Sequence, residues 1–172
     1  MESSELPSWL IMLILILVAN GAPIVSYYLF KHRLDIPLDG NSLWRDGAPL
    51  LGKSKTYRGL ISALVLTSLF AYIITQDYVL GFIVAGLCML GDLLTSFVKR
   101  RLGKPAHKEV MGLDQSLEAA LPLLVINPII ALEVLKFNLP PLTLVEIAVT
   151  FLLFFAIHVS FYLVIKITRS IK

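Results

Sequence analysis

Five apolar stretches, separated by polar segments of very unequal length, organise this chain. Positions 9–30 form a continuous apolar run, long enough to cross a bilayer with some tilt. Residues 31–58 are polar and basic, with Gly40, Gly47 and Gly52 inside and Gly59 beside them. A second apolar stretch, 59–75, sits at the lower length limit for a span. Gln76 and Asp77 mark a tight turn before a third stretch, 78–98. A second polar loop, 99–116, leads to a fourth stretch at 117–135 and, after the short 136–138 connection, a fifth at 140–165. The pattern predicts an all-α integral membrane protein of about five transmembrane helices in one polytopic domain, residues 1–172. Pro23 and Asn127-Pro128 interrupt the first and fourth stretches, and each proline should kink its helix. Asn20 either satisfies a carbonyl freed near Pro23 or points into a polar cavity.

Composition agrees with that class. The 172 residues are 57% hydrophobic and 16% charged, against about 25% charged in a soluble domain. The single cysteine, Cys88, allows no internal disulfide and reads as a packing residue. The first stretch is no secretory signal, because Glu2 and Glu5 make its leading region acidic and its core is too long.

Charge decides orientation. Fourteen of the fifteen basic residues lie in the two long loops and the tail, and Lys136 alone lies on the other side. Basic residues mark cytoplasmic loops, so both long loops and the C-terminus are expected in the cytoplasm of a multi-pass cell-membrane protein, and the N-terminus outside.

The chemistry concentrates in residues 91–114. An ionisable residue inside a span is costly and is a functional-site candidate by default, and Asp92 is one. At helical spacing Asp92, Thr95, Ser96 and Lys99 share one face, with Arg100 and Arg101 adjacent. A carboxylate, two hydroxyls and an ammonium on one stripe suit a metal ion holding a phosphate chain. The blander alternative is that Asp92 pairs with Lys99 or Arg100 and closes a helix bundle. With the span ending at Val98, Asp92 lies roughly 9 Å below the helix end, near the headgroup boundary. Asp114, just ahead of the fourth stretch, is either a second magnesium ligand or a helix cap.

In the first loop, residues 47–54 (Gly47 to Gly52-Lys53-Ser54) match the phosphate-loop pattern literally. The strand before and helix directly after that such a loop requires are absent, so the fold is excluded and only the chemistry remains. Glycines let backbone amides approach an anion. Gly52, Lys53, Ser54, Lys55 and Arg58 are therefore candidate phosphate ligands, and Thr56 a candidate cap for the next helix, whose N-terminus favours an anion. A basic segment resting on anionic lipid is the alternative. Weaker candidates are His158, Ser160 and Tyr162 in the fifth stretch, Glu133 and Glu146 near the outer side, and Trp44, Tyr57 and His107 as loop residues placed to contact a base.

Gly91-Asp92-Leu93-x-x-Ser96-x-x-Lys99-Arg100, then Gly103, then Gly112-x-Asp114, resembles the signature of the cytidylyltransferases that make CDP-activated lipids. Lys55-Thr56-Tyr57-Arg58-Gly59 resembles the Lys-Thr-Trp-x-Gly segment of the same superfamily. The whole chain is most similar to the small five-span CDP-archaeol synthases of archaea; the bacterial CDP-diacylglycerol synthases share the motifs but are longer. The resemblance implies transfer of a cytidylyl group from CTP to an unsaturated diether glycerol phosphate, with magnesium (Mg2+) on Asp92 and Asp114. Lys55 and Arg100 would act in catalysis, and Gly52, Lys53, Ser54, Thr56, Arg58, Ser96 and Lys99 would bind nucleotide or phosphate. The partners are then CTP, a membrane lipid phosphate and the bilayer, with no nucleic acid. The superfamily's second Asp, three residues after the one matching Asp114, is Leu117 here, with Glu118 next door. The alternatives are an ester-lipid synthase, a small transporter, or a CDP-alcohol phosphotransferase. The last would use Asp39-Gly40 or Asp46-Gly47, but its second paired Asp motif is missing.

Overall fold

The computed structural model describes residues 6–31, 33–104 and 113–170, and not the side chains of residues 113–115, 162 and 164–170. Five helices follow one another: α1 (Ser8–Phe30), α2 (Tyr57–Thr75), α3 (Tyr78–Arg101), α4 (Leu113–Ala131) and α5 (Leu144–Ser170). The described residues form no extended strands, only isolated bridges at Pro37–Thr56 and Leu43–Pro49.

Local sequence fixes most of the helix ends. Thr56 starts α2, its hydroxyl accepting from the Gly59 amide at 3.2 Å, as the capping argument expects. Asp77 starts α3 by accepting from Val79 and Leu80, after Gln76 has closed α2 in the left-handed region at φ 59°. Thr143 and Glu146 start α5 with a reciprocal capping box.

Several expectations change. α3 does not stop at Val98. It runs on through Lys99, Arg100 and Arg101, which occupy its last turn, where cations complement the helix dipole. Asp92 is therefore about 13–14 Å from the true helix end. α4 begins four residues before 117 and ends four before 135. The expected fifth span from Pro140 is also displaced. Pro140-Pro141 hold the chain extended, and α5 begins only at Leu144. The Asn127 side chain secures that extended segment, bonding both the Leu142 amide (2.6 Å) and its carbonyl (3.1 Å). Asn20 does bond backwards, but to the Ile16 carbonyl at 2.9 Å rather than to Ala19, the carbonyl that Pro23 deprives of its partner.

Consecutive helices pack as neighbours, and α1 also touches α3, α4 and α5. Its Ile11, Met12, Leu15, Ile16 and Ala19 are fully buried. Without water to drive apolar surfaces together, helix association depends on close packing at small residues. Gly91 provides this between α3 and α4: a Cβ there would lie 2.5 Å from the Leu117 carbonyl oxygen. Gly81 does the same against the Thr67 backbone of α2. Large apolar side chains such as Ile61, Val65, Leu69 and Leu152 remain exposed on the helix surfaces. Among the described residues, four helices are long and apolar enough to cross a membrane, and the apolar part of α4, Ser116–Ala131, is shorter.

Candidate active site

The first loop folds back on itself before it reaches α2. Its ends pair as the Tyr57 amide donates to Ile36 (3.0 Å) and the Leu38 amide to Lys55 (2.8 Å). Its middle pairs as Trp44 donates to Ala48 and Leu50 to Ser42. Gly47, at φ 76°, makes the turn at the tip; a side chain there would be strained in that backbone region. Arg101 clasps this tip to the end of α3. Its guanidinium donates to Asp46 (2.8 Å) and to the Ala48 and Pro49 carbonyls. It also lies over the Phe97 ring, whose other contact is the edge of Trp44 at 5.3 Å.

This folding delivers Lys55 to Asp92. The Lys55 ammonium donates to both carboxylate oxygens, at 2.6 and 2.5 Å, across 37 residues of sequence. Asp92 therefore has its cation, but neither Lys99 nor Arg100 as the bundle-closing alternative required. Both side chains are 21% exposed, so the pair is open to a ligand. It lines a pocket of about 360 Å³, counted to its open mouth. Its lining combines the polar residues Ser54, Lys55, Thr56 and Asp92 with apolar ones such as Pro23, Leu60, Met89 and Leu93. One turn further along α3, Thr95, Ser96, Lys99 and Arg100 are all buried, and the Thr95 hydroxyl bonds back to the Asp92 carbonyl.

Three expected phosphate ligands already have partners within the protein. Arg58 donates to the Lys31 and Arg33 carbonyls and to Asp35 (3.0 Å) and stacks over Tyr27. It ties the end of α1 to the start of α2. The Gly52 amide donates to the Asp39 carboxylate at 3.0 Å, so it serves an internal anion rather than a phosphate. The Thr56 hydroxyl oxygen caps α2. Lys53 and Ser54 are exposed, and Ser54 lines the pocket. Trp44 packs on Phe97 rather than waiting for a base, and His158 packs against Phe154 within α5. His107 and Gly112 lie outside the described residues, as do the side chains of Asp114 and Tyr162. The α4 backbone nevertheless gives a register. Leu117 abuts Gly91, and Asp114 is one turn earlier on an antiparallel helix, level with the turn of α3 that follows Asp92.

Sequence reasoning passed over two residues. Asp39, considered only as the start of an absent motif, is buried and accepts from the Asn41, Leu51 and Gly52 amides. Burial disfavours its charged form, but those amides outweigh burial and hold the carboxyl below its ordinary range. A carboxylate two residues before an amide, next to a glycine, is the local signal of such an Asx turn. Arg101 carries no local signal, because its partner Asp46 is 55 residues away.

Comparison with known proteins bears on what this arrangement is. A family model described as CarS-like, CDP-archaeol synthase, matches residues 9–168. The chain belongs to that family. CDP-archaeol synthase of Thermococcus kodakarensis is 39% identical over 90 residues, 46% of this chain and 53% of the relative. That of Hyperthermus butylicus is 36% identical over 105 residues, 58% of this chain and 60% of the relative. The chain thus spans about half the length of the curated relatives it matches. A solved structure described as an intramembrane enzyme for archaeal membrane lipid biosynthesis superposes with a TM-score of 0.73, covering 90% of this chain and 92% of that one at 24% identity. That likeness carries the fold. The all-helical architecture is that of an intramembrane protein, and this family member is a multi-pass membrane protein.

Proposed function

We propose that this chain is a membrane cytidylyltransferase, converting CTP and an unsaturated archaeal diether glycerol phosphate to CDP-archaeol and pyrophosphate. The observation that carries the reading is the partly exposed Lys55–Asp92 pair in a pocket lined by both polar and apolar residues. A lipid phosphate is amphipathic in the same sense, and membership of the family supplies the reaction.

A phosphate monoester is already largely ionised at neutral pH, so no general base is required. One of its oxygens attacks the α-phosphorus of CTP. A bond forms there, the bond to the bridging oxygen breaks, and pyrophosphate leaves with that oxygen. Catalysis then consists of positioning and of stabilising charge on the departing group. Lys55 would hold the reacting phosphates at the pocket, and Ser96, Lys99 and Arg100 would line the nucleotide side from α3. Lys53 and Ser54 lie where they can meet phosphate at the edge. Arg58 and Gly52 would support the site from outside the pocket, and Thr56, which lines it, would also cap α2.

Nucleotidyl transfer generally employs a divalent metal, and the donor set here favours a hard cation such as Mg2+. Both oxygens of Asp92 already take a cation, the Lys55 ammonium. Asp92, with Asp114 from the facing turn of α4, would hold the metal, which when bound would neutralise phosphate charge. Among the described residues no three His, Cys, Asp or Glu side chains gather as a site of their own, so substrate oxygens would complete the coordination.

The excess of basic residues at this end of the bundle favours a cytoplasmic location for it. Cysteines introduced near Lys53 and Lys104 should both be labelled from that side, and one near Asp77 from outside. The functional test is release of pyrophosphate from labelled CTP by the purified protein, with diether and diacyl glycerol phosphates competing in one detergent. CDP-lipid formation preferring the diether supports the reading. Preference for the diacyl lipid makes this an ester-lipid synthase, and no transfer to either rejects cytidylyl transfer.

A further inference from the structure

The Lys55–Asp92 contact joins a loop to a helix, so something must hold the loop at the correct height. We propose that Asp39 is the positioning residue for this pair, acting through the backbone of Lys55. The inference rests on the reading of Lys55 given above.

The route is short and continuous. Asp39 Oδ2 accepts from the amides of Leu51 (2.9 Å) and Gly52 (3.0 Å), while Oδ1 accepts from Asn41 (3.0 Å). The Gly52 carbonyl accepts from the Lys55 amide (3.2 Å), and the Lys55 carbonyl from the Leu38 amide (2.8 Å). Leu38 is covalently joined to Asp39, so the ring closes. Both backbone polar groups of Lys55 are thereby fixed, and its side chain extends from this ring to Asp92. Bonds from amides to an ionised carboxylate are about twice as strong as neutral ones. They also satisfy a carboxylate that is only 9% exposed. Residues 40–47 are exposed and Gly52 stands at φ 99°. Beyond Trp44 on Phe97 this stretch has little apolar packing, so polar contacts hold it: the Arg101 clasp at the tip and the Asp39 carboxylate at the base. The helix bundle does not depend on them: α2 is capped by Thr56, and the core is formed by the five helices and the α4–α5 connection, with no residue of this stretch in it.

The test is a double-mutant cycle in the full-length protein, comparing Asp39→Ala, Lys55→Ala and the double variant, with hydrogen exchange read by mass spectrometry. A misplacement of about 1 Å costs on the order of 10²-fold in rate. Asp39→Ala should thus lower kcat about 10- to 100-fold while changing the KM for CTP by less than about threefold. The double variant should be no slower than Lys55→Ala, because both act through one contact. Exchange should quicken in residues 50–56 and not in α2 or α3. Asp39→Asn should recover part of the rate, since its amide oxygen still accepts from Leu51 and Gly52 but its nitrogen opposes the Asn41 amide. Losses that multiply in the double variant overturn the proposal while leaving the reading of Lys55 intact. Faster exchange throughout the bundle, or unchanged turnover in both Asp39 variants, also overturns it. Full turnover of Lys55→Ala overturns the reading of Lys55 and, with it, this inference.

Discussion

The two ends of the helix bundle solve the same problem in different ways. At the end carrying the first long loop, distant segments are joined by charge: Lys55 to Asp92, Arg58 to Asp35, Arg101 to Asp46, and Asp39 to three amides. At the opposite end the work is done mainly by neutral amides and local caps. Asn127 holds Leu142, Asn138 donates to the Thr75 carbonyl at 3.2 Å, and Asp77 caps its own helix. Neutral groups satisfy a short connection and leave nothing to react. Charged pairs are costly to bring near a bilayer, and two of the side chains at the first end are held in an open pocket rather than sealed. The contrast separates the end proposed to bind and transfer from the end that closes the fold.

The largest expected effect is at the open pair. Asp92→Asn and Lys55→Ala should each lower turnover on the order of 10²–10³-fold, the usual loss for one transition-state group, with the protein still folded by circular dichroism in detergent. Asp114→Asn should behave alike. If Asp92→Asn kept near wild-type turnover at low magnesium, the pair would be structural and the two ends equivalent. Next comes Asn127→Ala at the far end. It leaves the amide and carbonyl of Leu142 without their side-chain partner, a cost of about 1–3 kcal/mol. Detergent-resistance or thermal unfolding should register that loss while kcat stays within about twofold. A large fall in kcat without a fall in stability would show that the far end also takes part in turnover.

Arg101→Ala should have an intermediate effect on the loop alone. Its ion pair with Asp46 is partly exposed and worth about 0–1 kcal/mol, so turnover should fall only about two- to fivefold, with faster proteolysis in residues 44–50. The smallest effect belongs to Lys136→Ala, the lone basic residue of the far side, which should leave turnover and stability within experimental error. A strong effect there would contradict the assignment of charge chemistry to one end.

Much of this was legible in the sequence because it is encoded over a few residues. Apolar run length marks the helices, and Thr56 and the Gln76-Asp77 turn mark where two of them begin, whereas the apolar pattern starts the fifth stretch at Pro140, ahead of the Thr143-x-x-Glu146 box that starts α5. The concentration of basic residues marks the end proposed to carry the chemistry. Asp92 stood out as a carboxylate in an apolar run, and Lys55 through its motif. Pairings between segments were not legible. Nothing within reach of Lys55 in sequence selects Asp92 over Asp46 or Asp114, and nothing near Arg58 says that it faces the end of α1 rather than a phosphate. Those choices follow from the approach of α3 and α4 at Gly91 and from the doubled-back path of the first loop. Hydrogen bonds act over about 3 Å, so a partner 37 or 55 residues away is selected only once packing has brought the two backbones together.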